Sequence, residues 1–307
     1  MKRKLLFCLY LVFSFANIYS NNYLIMLPEI SSAAATGIEG ACGAKSADLN
    51  TIPYNPAGIY GIKDFRTMFT YNSNELIKSS STLTSASIPF LEDSVLGIYY
   101  VYDRQHGVID APYGDSDLSR YNQIVSLGYA FSASENIKLG FAGKYISSSI
   151  ISSSSSFLAC DMGAVFGGDG GLTASITILN LGNRLSYKED RSLLADEILP
   201  LKFGVGLNFD ILKDDINAIS LSSDGAYYLN KVKYDIALGL EYVFQNMIII
   251  RIGNKVDIQG SDFFGWGAGF NYDFNGIKTR FDYSYSGKIS GTGLNGAANL
   301  LSLSIFF

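Results

Sequence analysis

The sequence has few charged side chains, one histidine and three cysteines, and each shortage excludes a class of function. Asp, Glu, Lys and Arg make up 17% of the residues, against about 25% in ordinary soluble domains. The 23 basic and 28 acidic side chains give a net charge of −5 without a basic stripe, so no nucleic-acid partner is expected. The histidine and the cysteines do not have the spacing of metal ligands, and no metal or other cofactor is predicted.

Long apolar runs are also missing after the first 20 residues. A transmembrane helix needs about 20 consecutive apolar residues, and no run after Ser20 approaches that length. Residues 1–20 combine the basic start Lys2–Lys4 with a short apolar run, which predicts a cleaved signal peptide rather than a retained anchor. The two cysteines outside it, Cys42 and Cys160, are too far apart to indicate a disulfide framework and are expected to be inert.

The sequence does contain many aromatic residues, 21 Tyr and 20 Phe, and many stretches in which bulky and small residues alternate. The clearest stretch ends the chain, where Leu301, Leu303, Ile305 and Phe307 alternate with small polar residues. Successive side chains of a strand point to opposite faces, so this period of two predicts a strand with one apolar face. The same pattern predicts strands near residues 63–72, 81–90, 94–104, 121–132, 136–148, 156–166, 171–181, 200–210, 215–228, 231–244, 246–255, 263–274, 276–287 and 294–307.

About 14 strands of about 10 residues predict an all-β fold, a transmembrane antiparallel β-barrel formed by residues 62–307. Residues 167–171 and the Asn275-Gly276 pair are signals for tight turns, whereas residues 105–120 and 182–199 form longer links. Membrane barrels have short turns at one end and longer loops at the other, so the long links are expected outside the cell. The serine-rich stretch 147–156 is either a loop or part of two strands.

A soluble barrel of the lipocalin type would also alternate, but with its apolar face inward. Size and composition favour the membrane, because about 14 strands enclose more space than side chains fill and the polar face is mostly Gly, Ser, Ala and Asn. We therefore expect export to the cell outer membrane, with lipid against the bulky face. The terminal residues Leu301, Leu303, Ile305 and Phe307 are expected to form the strand that the barrel-assembly machinery receives.

Residues 21–61 precede the first strand and are rich in Ala, Gly and Asn, so they are the candidate to fill the lumen as a plug. Within this stretch the sequence resembles the N-terminal signature of the PorV/PorQ family, whose members are similar to FadL-type long-chain fatty-acid transporters. The resemblance implies a 14-stranded barrel whose N-terminal residues fold inward as a hatch containing an Asn-Pro-Ala motif. It rests on Gly37, Gly40, Ala41, Ala44, Ala47, Asp48, Asn55, Pro56, Ala57, Gly58 and Ile59.

The motif Asn55, Pro56, Ala57 and Gly58 also has a direct physical interpretation. Proline fixes φ and lacks an N–H, the residue before it is driven toward an extended backbone, and glycine tolerates a tight bend. The motif therefore predicts a rigid corner that packs a plug against the wall. A plain turn leading into the first strand is the alternative.

Catalysis is poorly supported, and we predict that the protein is not an enzyme. His106 is expected to be a solvated loop residue, because no nearby residue indicates a buried nucleophile. Asp115 and Asp117 resemble part of a calcium loop but lack its downstream Glu.

Two functional hypotheses remain open. The FadL-like resemblance implies passive uptake of small hydrophobic molecules, such as long-chain fatty acids, which would rest in an apolar pocket and pass the hatch. The PorV/PorQ resemblance implies a scaffold in type IX-like protein secretion or surface attachment, with secretion-system proteins as partners.

Overall fold

The structure is a computed structural model. It describes residues 23–24, 31–75, 78–106, 119–150, 153–167, 171–182, 184–189, 192–229, 233–257, 261–290 and 293–307. The predicted signal peptide and the residues Asp115 and Asp117 lie outside these ranges. In the described ranges, no helix combines the length and the apolar character needed to cross a membrane.

Strands account for most of the described chain, and each of the 14 predicted strands overlaps one of them. The strands are β1 (Tyr23–Leu24), β2 (Arg66–Asn74), β3 (Ser79–Pro89), β4 (Ser94–His106), β5 (Ser119–Ser134), β6 (Ile137–Ile150), β7 (Ser153–Phe166), β8 (Leu172–Gly182), β9 (Arg184–Glu189), β10 (Ser192–Ile198), β11 (Lys202–Lys213), β12 (Asn217–Tyr228), β13 (Lys233–Phe244), β14 (Ile248–Asp257), β15 (Ser261–Phe274), β16 (Ile277–Ser290) and β17 (Gly293–Phe306).

Strands β2–β8 and β11–β17 pair with their neighbours in antiparallel order and close into one 14-stranded barrel. The ring is completed by β17 with β2 and by β8 with β11. A closed barrel satisfies the backbone hydrogen bonds of every strand and leaves no free edge. The predicted fold class is confirmed, and the serine-rich stretch belongs to two strands, β6 and β7.

The link from 182 to 199 differs from the prediction of a long loop, because it contains two further strands. Strands β9 and β10 pair with each other, and β1 adds to β10 in parallel. The alternation of Leu185 and Tyr187 with polar residues was a signal for this small sheet. The sheet lies at the end of the barrel where β8 ends and β11 begins.

Both predicted long links, 105–120 and 182–199, lie at one end of the barrel, although the other five connections at that end have only two to four residues. The connections of two to five residues at 135–136, 167–171 and 275–276 lie at the end where β2 begins and β17 finishes. The long links lie at the opposite end, because strand direction alternates around an antiparallel barrel. Asn275 and Gly276 both have positive φ, 52° and 88°, as a tight hairpin requires.

Bulky side chains cover the outer face of the barrel. On β5, Leu127 is 60% exposed while the neighbouring Ser126 is 0% exposed. On β17, Leu301 is exposed and Ser302 and Ser304 are buried. This arrangement is the reverse of a lipocalin-type barrel, and it is the one that membrane barrels present to lipid.

Aromatic side chains cluster on this outer face near the short turns. The rings of Phe90, Tyr129, Phe131 and Phe141 follow one another at centroid distances of 5.6 to 6.5 Å. Girdles of aromatic residues mark the two boundaries of the lipid-facing band in membrane barrels. The short-turn end of the barrel therefore carries part of such a girdle.

Candidate functional site in the barrel lumen

Residues 31–62, here called the inner segment, lie inside the barrel. They form the short helix α1 (Ala33–Thr36) and two 3-10 turns, Leu49–Thr51 and Pro56–Ile59. Their contacts reach opposite sides of the wall: Ala33 N donates to Ser302 Oγ at 2.9 Å, and Asn55 Nδ2 donates to the Ala164 carbonyl at 3.4 Å. Most of the inner segment is buried by the barrel that surrounds it.

The predicted corner at Asn55 and Pro56 is held by the asparagine side chain. Asn55 Oδ1 accepts from Ala57 N at 3.0 Å, and its Nδ2 also donates to the Gly43 carbonyl at 2.7 Å. Asn55 has the extended backbone expected before proline, with φ −158° and ψ 109°. It is fully buried, so this one amide joins two parts of the inner segment to β7.

The wall beside this corner lacks side chains. A Cβ built on Gly140 would lie 2.1 Å from Ala57 N, and a Cβ on Gly163 would lie 2.0 Å from Asn55 Oδ1. Gly58 lies in the 3-10 turn Pro56–Ile59 without a positive φ, and its missing Cβ makes room for Thr51. The missing side chains of Gly140 and Gly163 therefore leave the space in the wall that the inner segment fills.

One side of the lumen carries a row of charges that reaches the inner segment. Lys45 Nζ lies 2.9 Å from Glu241 Oε1, Arg251 bonds Glu241 and Asp282, and Arg280 lies 3.0 Å from Asp282. We call these five residues the ion-pair chain. Because removing one partner of a buried pair costs about 3–5 kcal/mol, the chain ties the inner segment to β13, β14 and β16.

The ion-pair chain was not predicted, although charges on the inner face were expected near strand ends. Glu241 is the fourth residue from the end of β13, Arg251 is the fourth residue of β14, and the two are direct register partners. Aligning the two alternating stretches at their connecting turn would have placed these opposite charges side by side. The signal was present in the sequence but required the pairing register.

The opposite side of the lumen carries an apolar stripe between polar residues. Leu83, Val101, Ile124, Ile146 and Phe157 are register partners across β3–β7 and face inward, and none is more than 6% exposed. We call these five residues the apolar row. It belongs to one buried cluster with Ile52 and Ile59 of the inner segment and Leu199 near the long-loop end.

A cavity of about 880 Å³ lies at the short-turn end of the lumen. Its lining includes Lys45 and Asp48 of the inner segment together with Arg66, Lys213 and Arg280 of the wall. This cavity is polar, so it is not the apolar resting pocket that was predicted for a solute. The apolar row lies farther toward the long loops.

The remaining candidate residues lie apart from one another. His106 is exposed at the end of β4, where its Nδ1 is 3.4 Å from Ser119 Oγ. The described residues contain no cluster of His, Cys, Asp and Glu suited to a metal ion. Cys42 is buried in the inner segment, and burial raises the pKa of its thiol well above the usual value, while Cys160 is exposed on β7.

Comparisons with known proteins were informative at the level of structure. No family model matches the chain, and no curated protein matches it. The solved structures that resemble it include the CymD monoaromatic hydrocarbon channel, with 10% identity, a TM-score of 0.64, and coverage of 90% of this chain and 96% of that chain. The Ralstonia pickettii toluene transporter TbuX has the same identity and TM-score, with 90% and 97% coverage.

A Pseudomonas aeruginosa FadL homologue matches at 11% identity with a TM-score of 0.61, over 93% of this chain and 99% of that chain. The chain has the fold of these FadL-like channels. The structural similarity shows a shared fold, and at 10–11% identity it shows the fold alone. The PorV/PorQ resemblance of the inner segment has no support from these comparisons.

Proposed function

We propose that this protein is an outer-membrane channel for passive uptake of small hydrophobic molecules, with the inner segment as its hatch. The observation that carries the proposal is the apolar row, which gives the inside of a lipid-facing barrel a second apolar surface. Solved neighbours with this fold are named as a monoaromatic hydrocarbon channel and a toluene transporter. Catalysis has no comparable support. His106 is exposed, and its contact with Ser119 Oγ at 3.4 Å is exposed as well, so the pair does not form a buried site.

The proposed path runs along β3–β7. Apolar area removed from water contributes about 25 cal/mol per Å², so a hydrophobic solute is stabilised against the apolar row. Ile52 and Ile59 cover the wall at Gly97, where their Cδ1 atoms lie 2.9 Å from a Cβ built on that glycine. Movement of the corner around Asn55 would uncover the wall at Gly97 and connect the apolar row to the polar cavity at the short-turn end.

The inner segment can be locked for a direct test. Gly43 N donates to Asp224 Oδ2 at 2.7 Å, and a Cβ built on Gly43 would lie 3.3 Å from Asp224 Cγ. A cysteine sulfur occupies nearly the place of that Cγ, so the double variant Gly43→Cys with Asp224→Cys can form a disulfide. The background for this variant carries Cys42→Ser and Cys160→Ser.

The test is the initial rate at which cells expressing the barrel take up radiolabelled toluene and hexadecanoate. We expect uptake faster than in cells without the barrel, loss of the gain when the disulfide is formed, and recovery on reduction. The single variant Asp224→Cys under the same oxidant controls for loss of the carboxylate. Uptake equal to that of empty cells would refute the channel.

Localisation and assembly belong to the same proposal. We propose that residues 1–20 direct export and that the outward residues of β17, including Leu301, together with Phe307 after it, are received by the barrel-assembly machinery. Deleting Phe307 is expected to reduce the amount of barrel in the outer-membrane fraction, and a Ser46→Ala variant serves as a control. Equal amounts of the two variants in the outer-membrane fraction would contradict this role for the terminal strand.

A scaffold role in protein secretion or surface attachment is the second candidate. The close fit of the inner segment favours it, because a barrel whose lumen is filled offers no open path to a solute. Purification under gentle extraction with a tag at a described turn, such as Asp214–Ile216, would test it. Reproducible recovery of secretion-system proteins would favour the scaffold, and a barrel recovered alone would count against it.

A further inference from the structure

Three neighbouring hydroxyl groups face the lumen with hydrogen-bonding capacity to spare. They belong to Ser85, Tyr99 and Ser126, which are direct register partners across β3, β4 and β5. Each residue is at most 2% exposed; Tyr99 and Ser126 contact each other, and no further partner lies at hydrogen-bond geometry for the three oxygens. We call these three residues the hydroxyl row.

Pairing within the row cannot satisfy it. Each hydroxyl has one donor hydrogen and two acceptor lone pairs. Tyr99 and Ser126 are adjacent across the strands, but a bond between them would use the hydrogen of only one hydroxyl. Lys144 continues the row, but its ammonium group only donates, and it is paired with Asp161 at 2.8 Å. The Asp161 carboxylate, whose charge acts on Tyr99, also accepts from Asn180 N at 2.7 Å. The hydroxyl row therefore retains unused donor and acceptor capacity in the lumen.

The position of the hydroxyl row connects it to the proposed path. It lies two residues from the apolar row on each strand, about 7 Å toward the short-turn end. Two residues farther along β4 is Gly97, which Ile52 and Ile59 cover. The hydroxyl row thus lies between the apolar row and the part of the wall that Ile52 and Ile59 cover. One substituted benzene ring would span the distance from the apolar row to the hydroxyl row.

We propose that the lumen selects hydrophobic molecules that carry a hydroxyl group, such as phenols, over hydrocarbons of the same shape. This inference rests on the proposed uptake function. The body of the solute contacts the apolar row, and its hydroxyl accepts from Tyr99 and donates to a serine oxygen. A site built to hydrogen-bond a hydroxyl discriminates against an analogue that lacks it, because the polar groups of the site are then left unpaired.

The test compares p-cresol with p-xylene, in which a methyl group replaces the hydroxyl. Tyr99→Phe removes one oxygen from the hydroxyl row and keeps the ring. Tyr100→Phe makes the same change at the next residue, which is exposed on the outer face. Initial uptake rates of both radiolabelled solutes are measured in cells expressing each variant, after subtraction of the rate in cells without the barrel.

We expect the wild type to take up p-cresol faster than p-xylene. Tyr99→Phe should lower p-cresol uptake roughly 2- to 10-fold, the value of one hydrogen bond, and leave p-xylene uptake unchanged. Tyr100→Phe should change neither rate. Ser126→Ala should reproduce the selective loss, so the result does not depend on one variant.

Two outcomes would overturn the inference. A Tyr99→Phe variant that folds and takes up both solutes at the wild-type rates would show that a buried water or another group satisfies the hydroxyl row. Equal losses for both solutes would show that the tyrosine only supports packing. Failure of the proposed function is distinguishable, because then neither solute enters faster than in cells without the barrel.

Discussion

Replacing Glu241 by Gln is expected to loosen the inner segment. The carboxylate lies between Lys45 Nζ, at 2.9 Å, and the guanidinium of Arg251. Without its charge, two cations face each other in the lumen. Arg251 retains its bond to Asp282, so the strain is relieved when Lys45 leaves together with the inner segment.

The size of the effect follows from the burial of the pair. Breaking a buried ion pair costs about 3–5 kcal/mol, and the 20% exposure of the Glu241 side chain places this pair near 3 kcal/mol. Since about 1.4 kcal/mol corresponds to a factor of ten, the inner segment should open roughly 100-fold more often.

Cys42 reports this opening. It is 2% exposed in the inner segment, so a water-soluble maleimide reacts with it only when the segment moves. In a Cys160→Ser background, Glu241→Gln should raise the labelling rate roughly 100-fold. Glu135→Gln, in an exposed turn, is the matched control and should leave the rate unchanged.

The double variant Lys45→Gln with Glu241→Gln sharpens the test. It removes both the carboxylate and the cation that the carboxylate neutralised, so its labelling rate should lie below that of Glu241→Gln alone. A Glu241→Gln protein labelled at the wild-type rate would refute the reasoning that the ion-pair chain holds the inner segment.

Three further predictions use the same labelling assay. Gly140→Ala should displace the corner and increase Cys42 labelling, because the added Cβ would lie 2.1 Å from Ala57 N. Gly143→Ala is the control, because no atom lies within 4 Å of its added Cβ, and it should be labelled at the wild-type rate. Equal labelling rates for the two variants would contradict the close fit of the corner against Gly140. Asn55→Ala should raise labelling about tenfold, since a buried group left without its hydrogen bond costs about 1–3 kcal/mol, and an unchanged rate would show that the amide does not anchor the segment. Burial raises the pKa of the Cys42 thiol, so labelling of the closed wild-type protein should keep rising with pH above the range where an exposed cysteine reaches its plateau; a plateau at the ordinary thiol pKa would contradict this burial.

The barrel itself could be predicted from the sequence because its signal is local. On β5, the alternation of Leu127 with Ser126 reports which face of the strand is outside the barrel and which is inside, and it needs no knowledge of distant residues. The Asn275-Gly276 turn is equally local, since only a few residues tolerate positive φ at both positions.

The lumen could be predicted only in outline. Small inward residues indicated that the N-terminal segment would have room, but the partners of that segment are distant in sequence. The bond between Lys45 and Glu241 joins residues 196 positions apart. Gly140 and Gly163 looked like ordinary strand glycines until the corner at Asn55 was placed against them.

The polar cavity at the short-turn end was not predicted. Charged residues such as Arg66 and Arg280 alternate with bulky outward residues near the strand ends, and their convergence at the short-turn end depends on barrel closure. The apolar row shows the opposite case, in which one inward residue from each of five strands forms a surface that no single strand reveals.

The central claim is that hydrophobic molecules cross the barrel only when the inner segment moves, and the disulfide between positions 43 and 224 tests it most directly. The account predicts that one sample of the double-cysteine protein loses its uptake of toluene and hexadecanoate when oxidised and regains it when reduced. Uptake that is the same in both states would contradict the claim.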